Sequence, residues 1–235
     1  MGDKPLTQYL RSLPYPALQI ALDFTEDWRA VSLASALSRA GLGEGIIIEA
    51  GTPLIKSAGK HVVKLLKVAT TYPILADTKT ADVGALETQL FCEEGASAIT
   101  VLGGASKSTI KDALQAAEAL GCSVVVDTVD VEAELVERVK ELVSLGVEAV
   151  NIHMGIDVQR ATGGSVADLL GLISEIREIV PVLSVSGGIK LKDIPRIAET
   201  SPDVIVVGSA ITRASDPVAS AKDFVMKIRE VFKNR

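Results

Sequence analysis

Five short apolar runs in the 235-residue chain end on an ionisable side chain: LQIALD on Asp23, GIIIE on Glu49, ILAD on Asp77, SVVVD on Asp127 and AVNIH on His153. A single acid after a strand commonly caps the next helix by accepting its free N–H groups. Five ionisable groups on one rim are different, because converging like charges repel unless a cation or a charged substrate joins them. The sharpest segment is Asp77-Thr78-Lys79-Thr80-Ala81-Asp82. Side chains alternate along a strand, so Asp77 and Lys79 are expected on one face, where each poises the other. Asp82 falls beyond the strand and is free to reach another site. His153 ends its run and is placed for proton transfer near neutral pH. His61 stands in a helical stretch beside Lys60 and Lys64 and reads as solvated.

Two later runs end in small residues instead. VLSV continues into Ser186-Gly187-Gly188-Ile189, and VIVV into Gly208-Ser209-Ala210-Ile211-Thr212. Glycine lets backbone N–H groups approach an oxyanion closely. In an α/β barrel the loops after strands seven and eight hold phosphates in this way. A phosphate-bearing ligand is therefore expected against Ser186, Gly187, Gly188, Gly208 and Ser209.

The elements that must position these groups repeat along the chain. Eight β-branched runs, Leu18–Asp23, Gly45–Glu49, Ile74–Asp77, Ala98–Leu102, Ser123–Asp127, Ala149–His153, Val182–Val185 and Val204–Val207, have the brevity of strands buried on both faces. Between them, segments such as Thr109–Leu120 and Val131–Leu145 repeat apolar residues at three- and four-residue steps, as amphipathic helices do. Count and length predict a single-domain (β/α)8 TIM barrel over residues 18–235 after a lead-in of residues 1–17. An open doubly wound sheet is disfavoured, since no GxGxxG turn follows Asp23.

Composition narrows the class further. Hydrophobic residues make up 48% and aromatics 3%, enough apolar material for a large core and too few aromatics for a typical β-sandwich. The net charge of -6, with no basic run, argues against nucleic acid as a partner. Cys92 and Cys122 lack CxxC spacing, so neither a disulfide nor a zinc site is expected, and a reducing cytoplasm fits. The first residues show no signal-peptide apolar region, and no run is long enough to cross a bilayer.

Taken together, Asp77-x-Lys79-x-x-Asp82 and the paired glycine loops resemble the orotidine 5′-monophosphate decarboxylase superfamily, from about Leu18 to Phe232. LQIALD, IEAGTPLIKS, ADTKTADVGALE, TVLGGAS, HMGIDVQ, SVSGGIK and VVGSAITRASDP are most similar to its 3-hexulose-6-phosphate synthase branch. A strand-two lysine joins the Asp-Lys-Asp set in the metal-free decarboxylases, and Glu49 stands there in this chain. The excess charge of Glu49, Asp77 and Asp23 fits a divalent cation. The resemblance implies Mg2+, with Mn2+ as the alternative, held by Glu49 and Asp77. It implies a reversible aldol addition of formaldehyde to D-ribulose 5-phosphate, giving D-arabino-hex-3-ulose 6-phosphate. Asp77 and Lys79 would act at the reacting centre and His153 as acid/base. Asp82 would reach into the partner's site of a homodimer, while Asp23 and Asp127 would bind sugar hydroxyls or support the shell. Two other readings stand beside this one. A 3-keto-L-gulonate 6-phosphate decarboxylase typically carries Arg three residues after the histidine, where Ile156 stands here. A catalytically silent phosphate-binding barrel would have no need of these costly like charges.

Overall fold

The computed structural model describes residues 5–131 and 133–233. Eight parallel strands, hydrogen-bonded in sequence order, close into a barrel. They are β1 Ala17–Leu22, β2 Ile46–Ala50, β3 Ile74–Thr80, β4 Ala98–Leu102, β5 Ser123–Asp127, β6 Ala149–His153, β7 Val182–Ser186 and β8 Val204–Val207. The helices are α1 Leu6–Leu10, α2 Asp27–Arg39, α3 Thr52–Ala58, α4 His61–Ala69, α5 Gly84–Cys92, α6 Lys107–Leu120, α7 Leu135–Ser144, α8 Ile156–Thr162, α9 Leu170–Arg177, α10 Ile194–Ala198, α11 Ser209–Thr212 and α12 Pro217–Phe232. The expected TIM barrel is the observed fold, and each predicted run lies on its own strand. The helix expected from Val131 starts instead at Leu135, behind a left-handed Glu134; Glu132 lies outside the described residues. His61 is exposed at the first position of α4, as a solvated residue should be.

Period-two alternation sorts the strand side chains into two cores. Leu18, Ile20, Leu22, Ile46, Ile48, Val124 and Val126 pack outward beneath the helices. Ala17, Ala21, Ile47, Leu75, Ala98, Val125, Ala149, Val182 and Val204 fill the barrel itself. Leu6 and Leu10 of α1 join that inner cluster. The Thr7 N–H donates to Ser123 Oγ at 3.2 Å, and the Gly45 N–H donates to the Tyr9 hydroxyl oxygen at 2.7 Å. The lead-in thus closes the floor of the barrel, which leaves the opposite, C-terminal mouth as the place for polar chemistry. No helix among the described residues is long and apolar enough to cross a membrane.

One expectation is overturned. Cys92 and Cys122 form a disulfide, with Cα atoms 6.2 Å apart. Spacing in sequence was the wrong criterion. Cys92 ends α5 and Cys122 immediately precedes β5, so one turn of the α/β repeat brings both to the same end of the barrel. The bridge closes a loop of 30 residues, for which chain entropy gives about 3–4 kcal/mol of stabilisation. Complete reduction, or Cys92→Ser with Cys122→Ser, is expected to lower the Tm by roughly 5–15 °C. The measurement is calorimetry with and without reductant, with thiols counted. An unchanged Tm in the fully reduced protein contradicts a stabilising bridge.

Candidate active site

The mouth is organised by a break in β3. Ala76 pairs with Ile99, yet Thr80 is the next β3 residue in register, opposite Val101. Asp77, Thr78 and Lys79 therefore face Thr100 alone. Lys79 sits at φ 47°, in the left-handed region, a conformation that costs a non-glycine residue on the order of 1–3 kcal/mol. Asp77 and Lys79 do meet, as simple alternation along a strand predicts, but by another route. The bulge turns Lys79 back so that Nζ lies 2.9 and 2.8 Å from the two oxygens of Asp77.

From Lys79 the contacts run across the barrel. Its Nζ also donates to Asp127 Oδ2 at 3.0 Å, and Asp127 accepts from His153 Nδ1 at 2.9 Å. The Val129 N–H reaches Asp127 Oδ1 at 2.9 Å, and Asn151 Nδ2 lies 3.3 Å from Oδ2. Asp127 is only 2% exposed. Burial pushes its carboxyl up, but the hydrogen bond and charge of His153 and the charge of Lys79 outweigh that and hold it well below the usual range. Lys79 is likewise pulled down by burial and raised more strongly by Asp127 and Asp77, so it stays an ammonium. With Asp127 ionised, His153 Nδ1 must donate, which leaves Nε2 for a substrate. Both oxygens of Asp127 are engaged within the protein. Of the two roles open to it in the sequence, supporting its neighbours is the one these contacts display.

Three carboxylates stand nearby. Glu49, 7% exposed, accepts from Gln19 Nε2 at 2.6 Å. Its carboxyl is pushed well up by burial and by the charges of Asp77 and Asp23. Asp23, just past β1, is raised by burial and by Asp77. Gly51 lets β2 pass this group, since a Cβ there would strike Asp23 Oδ1. Asp77 is held by the hydroxyls of Thr52 and Thr100, at 2.7 and 2.8 Å. Hard oxygen donors with unrelieved negative charge fit a small divalent cation. Among the described residues no three acid, histidine or cysteine groups form a ready-made cage.

Asp23, Glu49, Asp77, Lys79, Asp127, His153, Ser186, Gly187, Gly188, Gly208 and Ser209 all line one cleft at the mouth. Gly187 has φ +120°, and a Cβ there would lie 2.5 Å from the Met154 carbonyl oxygen, so the β7 turn requires glycine for its own shape. Asp82 is not brought in. It is exposed, and it accepts from the Val83 N–H at 2.8 Å. Sequence reasoning missed Gln19, Thr52, Thr100, Asn151 and Arg213, which belong to the same region. Gln19 and Asn151 were findable, because each lies at an even step before a strand-end ionisable residue, Asp23 and His153 respectively, and so shares its face.

Asp127→Asn keeps the shape of the side chain but removes the charge that holds Lys79 and His153. Hydrogen bonds to charged groups are worth about 1.5–3 kcal/mol. Turnover of the site's substrate should fall roughly ten- to hundredfold in kcat with little change in KM, read from steady-state kinetics. An unaltered kcat contradicts the role assigned to this carboxylate.

The chain is similar to known proteins over most of its length. Residues 16–224 match the family model described as orotidine 5′-phosphate decarboxylase / HUMPS family. The chain is 38% identical over 208 residues to a 3-hexulose-6-phosphate synthase of Mycobacterium gastri, covering 88% of this chain and 96% of that one. A crystal structure of a 3-hexulose-6-phosphate synthase superposes with a TM-score of 0.83 at 37% identity, covering 90% of this chain and 99% of the other. A 3-keto-L-gulonate-6-phosphate decarboxylase from Vibrio cholerae gives 0.78 at 26% identity, covering 91% and 99%. The family match spans most of the chain, and the chain belongs to the orotidine 5′-phosphate decarboxylase / HUMPS family.

Proposed function

We propose that the protein is a 3-hexulose-6-phosphate synthase, adding formaldehyde reversibly to D-ribulose 5-phosphate to give D-arabino-hex-3-ulose 6-phosphate. The observation that carries this reading is the hydrogen-bonded chain Asp77–Lys79–Asp127–His153 beside the β7 and β8 turns. The chain is 38% identical to a synthase and 26% identical to the Vibrio decarboxylase, which favours the first activity.

The residues divide the work by position. The N–H groups of the β7 and β8 turns, with the Arg213 charge at the rim, bind the phosphate and anchor the sugar. Glu49 and Asp77 are the ligands for Mg2+, which when bound supplies an electrophile for negative charge developing on the substrate's oxygens. His153 Nε2 is placed to take the C1 proton beside the ketone, with Asp127 holding the ring in the right tautomer. Lys79 stays charged near the resulting enediolate and lowers its energy. C1 then attacks the formaldehyde carbon, one C–C bond forms, and the former carbonyl oxygen of formaldehyde takes up a proton. Asp23 is placed beside the Gly208 turn to meet a sugar hydroxyl. Sugar phosphates do not cross bilayers unaided, so we place the protein in the cytoplasm. A disulfide there is the exception in mesophiles and common in hyperthermophiles.

Turnover with ribulose 5-phosphate, formaldehyde and Mg2+ should be lost on chelation and restored by Mg2+. Glu49→Gln should weaken metal affinity at least tenfold in calorimetry. Carbon dioxide release from 3-keto-L-gulonate 6-phosphate, without formaldehyde use, points to the decarboxylase instead. Full activity in the chelated enzyme removes the metal.

From the family resemblance we also propose a homodimer in which Asp82, exposed and outside its own cleft, completes the partner's site. Asp82→Ala and Lys79→Ala should each be nearly inactive alone. In the mixed dimer one site is fully wild type and the other lacks both groups, so subunit exchange should restore activity. Recovery should approach about a quarter of the wild-type rate at random pairing, because half the dimers carry one good site of two. No recovery after proven exchange puts Asp82 outside any shared site.

A further inference from the structure

Thr100 in β4 makes a separate contact with each residue of the β3 bulge. Its Oγ1 donates to Asp77 Oδ1 at 2.8 Å, its carbonyl accepts from the Thr78 hydroxyl at 2.6 Å, and its Oγ1 accepts from the Lys79 N–H at 2.8 Å. The residue is 4% exposed, and no ladder pairing holds residues 77–79 in its place. The bulge is closed beyond Lys79 by Thr80, whose hydroxyl donates to Glu87 and lies 3.0 Å from Thr78 Oγ1. A left-handed lysine persists only where its surroundings over-determine it. Thr52 also holds Asp77, through its carbonyl and its carboxylate, but the two contacts that tie Asp77 to the Lys79 backbone are both made by the Thr100 hydroxyl.

We propose that Thr100 is the positioning residue for the reaction: its hydroxyl clamps the Lys79 amide and the Asp77 carboxylate together and so sets the ammonium where the chemistry needs it. This rests on the reading of Lys79 and Asp77 as catalytic. Thr100 itself has no reason to touch substrate, since donor and acceptor are both engaged by β3. Its loss should therefore appear in the chemical step and not in sugar binding. Small misplacements of a catalytic group are expensive in rate.

The test uses Thr100→Val, which keeps the β-branched shape, and Thr100→Ser, which keeps the hydroxyl; Thr100→Ala is carried alongside in case the valine variant does not fold. Two readouts are compared with wild type: steady-state kinetics, and hydrogen exchange of the Lys79 backbone amide by NMR. Removing the hydroxyl should lower kcat roughly ten- to hundredfold, with KM for ribulose 5-phosphate within about threefold. The serine variant should recover most of the loss. The Lys79 amide should be protected in wild type and Thr100→Ser and exchange at least tenfold faster in the hydroxyl-free variants. An unchanged kcat, equal losses in the serine and valine variants, or a Lys79 amide still protected without the hydroxyl overturns the proposal. If wild-type protein fails to turn over this substrate pair, the functional reading falls, while the exchange rates still decide the clamp.

Discussion

Lys79 places one ammonium between two buried carboxylates, Asp77 and Asp127, and the mouth of the barrel is arranged around that contact. A charge with this little exposure must be paired or it neutralises. The pairing fixes Asp127 as an anion, and that anion fixes the orientation of His153 across the barrel. It also balances one of the acids at the mouth, so that Asp77 can lie near Asp23 and Glu49. The backbone distortion at Lys79 is the local cost of reaching this arrangement.

The barrel separates stability from chemistry along its axis. Towards the floor, the interior is aliphatic and stoppered by Leu6 and Leu10, with Ser123 and Thr7 satisfying each other. Towards the mouth, the same inward phase of the strands becomes Gln19, Glu49, Asp77, Asp127, Asn151 and Ser186. Apolar burial around and below the site holds the strands rigid enough for polar groups to be mutually misfitted in charge. Most hydrogen-bonded partners of those groups, among them Lys79, Thr100, Asn151 and His153, are themselves strand residues, which gives each carboxylate little freedom to relax.

The chain's own sequence determined a great deal of this. Short β-branched runs at regular spacing have one economical solution, a closed parallel sheet with helices outside, and strand ends fell within a few residues of the expected ones. The ionisable residues at those ends were legible as a site because barrel topology gathers strand C-termini on one rim whatever the details. The glycine pairs after the last two strands were legible for the same reason.

Contacts between residues distant in sequence were decided only by the tertiary structure. The Cys92–Cys122 bridge depends on where one helix ends relative to the next strand's start, which spacing does not encode. The part played by α1 as a floor depends on the barrel's inner diameter, because Leu6 and Leu10 must fit among side chains from many strands. In sequence Asp127 was open to a sugar hydroxyl or to a supporting part, and only the assembled barrel brings Lys79, His153, Val129 and Asn151 to its oxygens. Thr100, an ordinary strand threonine in sequence, gained a role only from a register shift between two strands. Periodicity reports which face a side chain takes, since that follows from local backbone geometry. Which partner it meets there follows from register and closure, and those are properties of the assembled sheet.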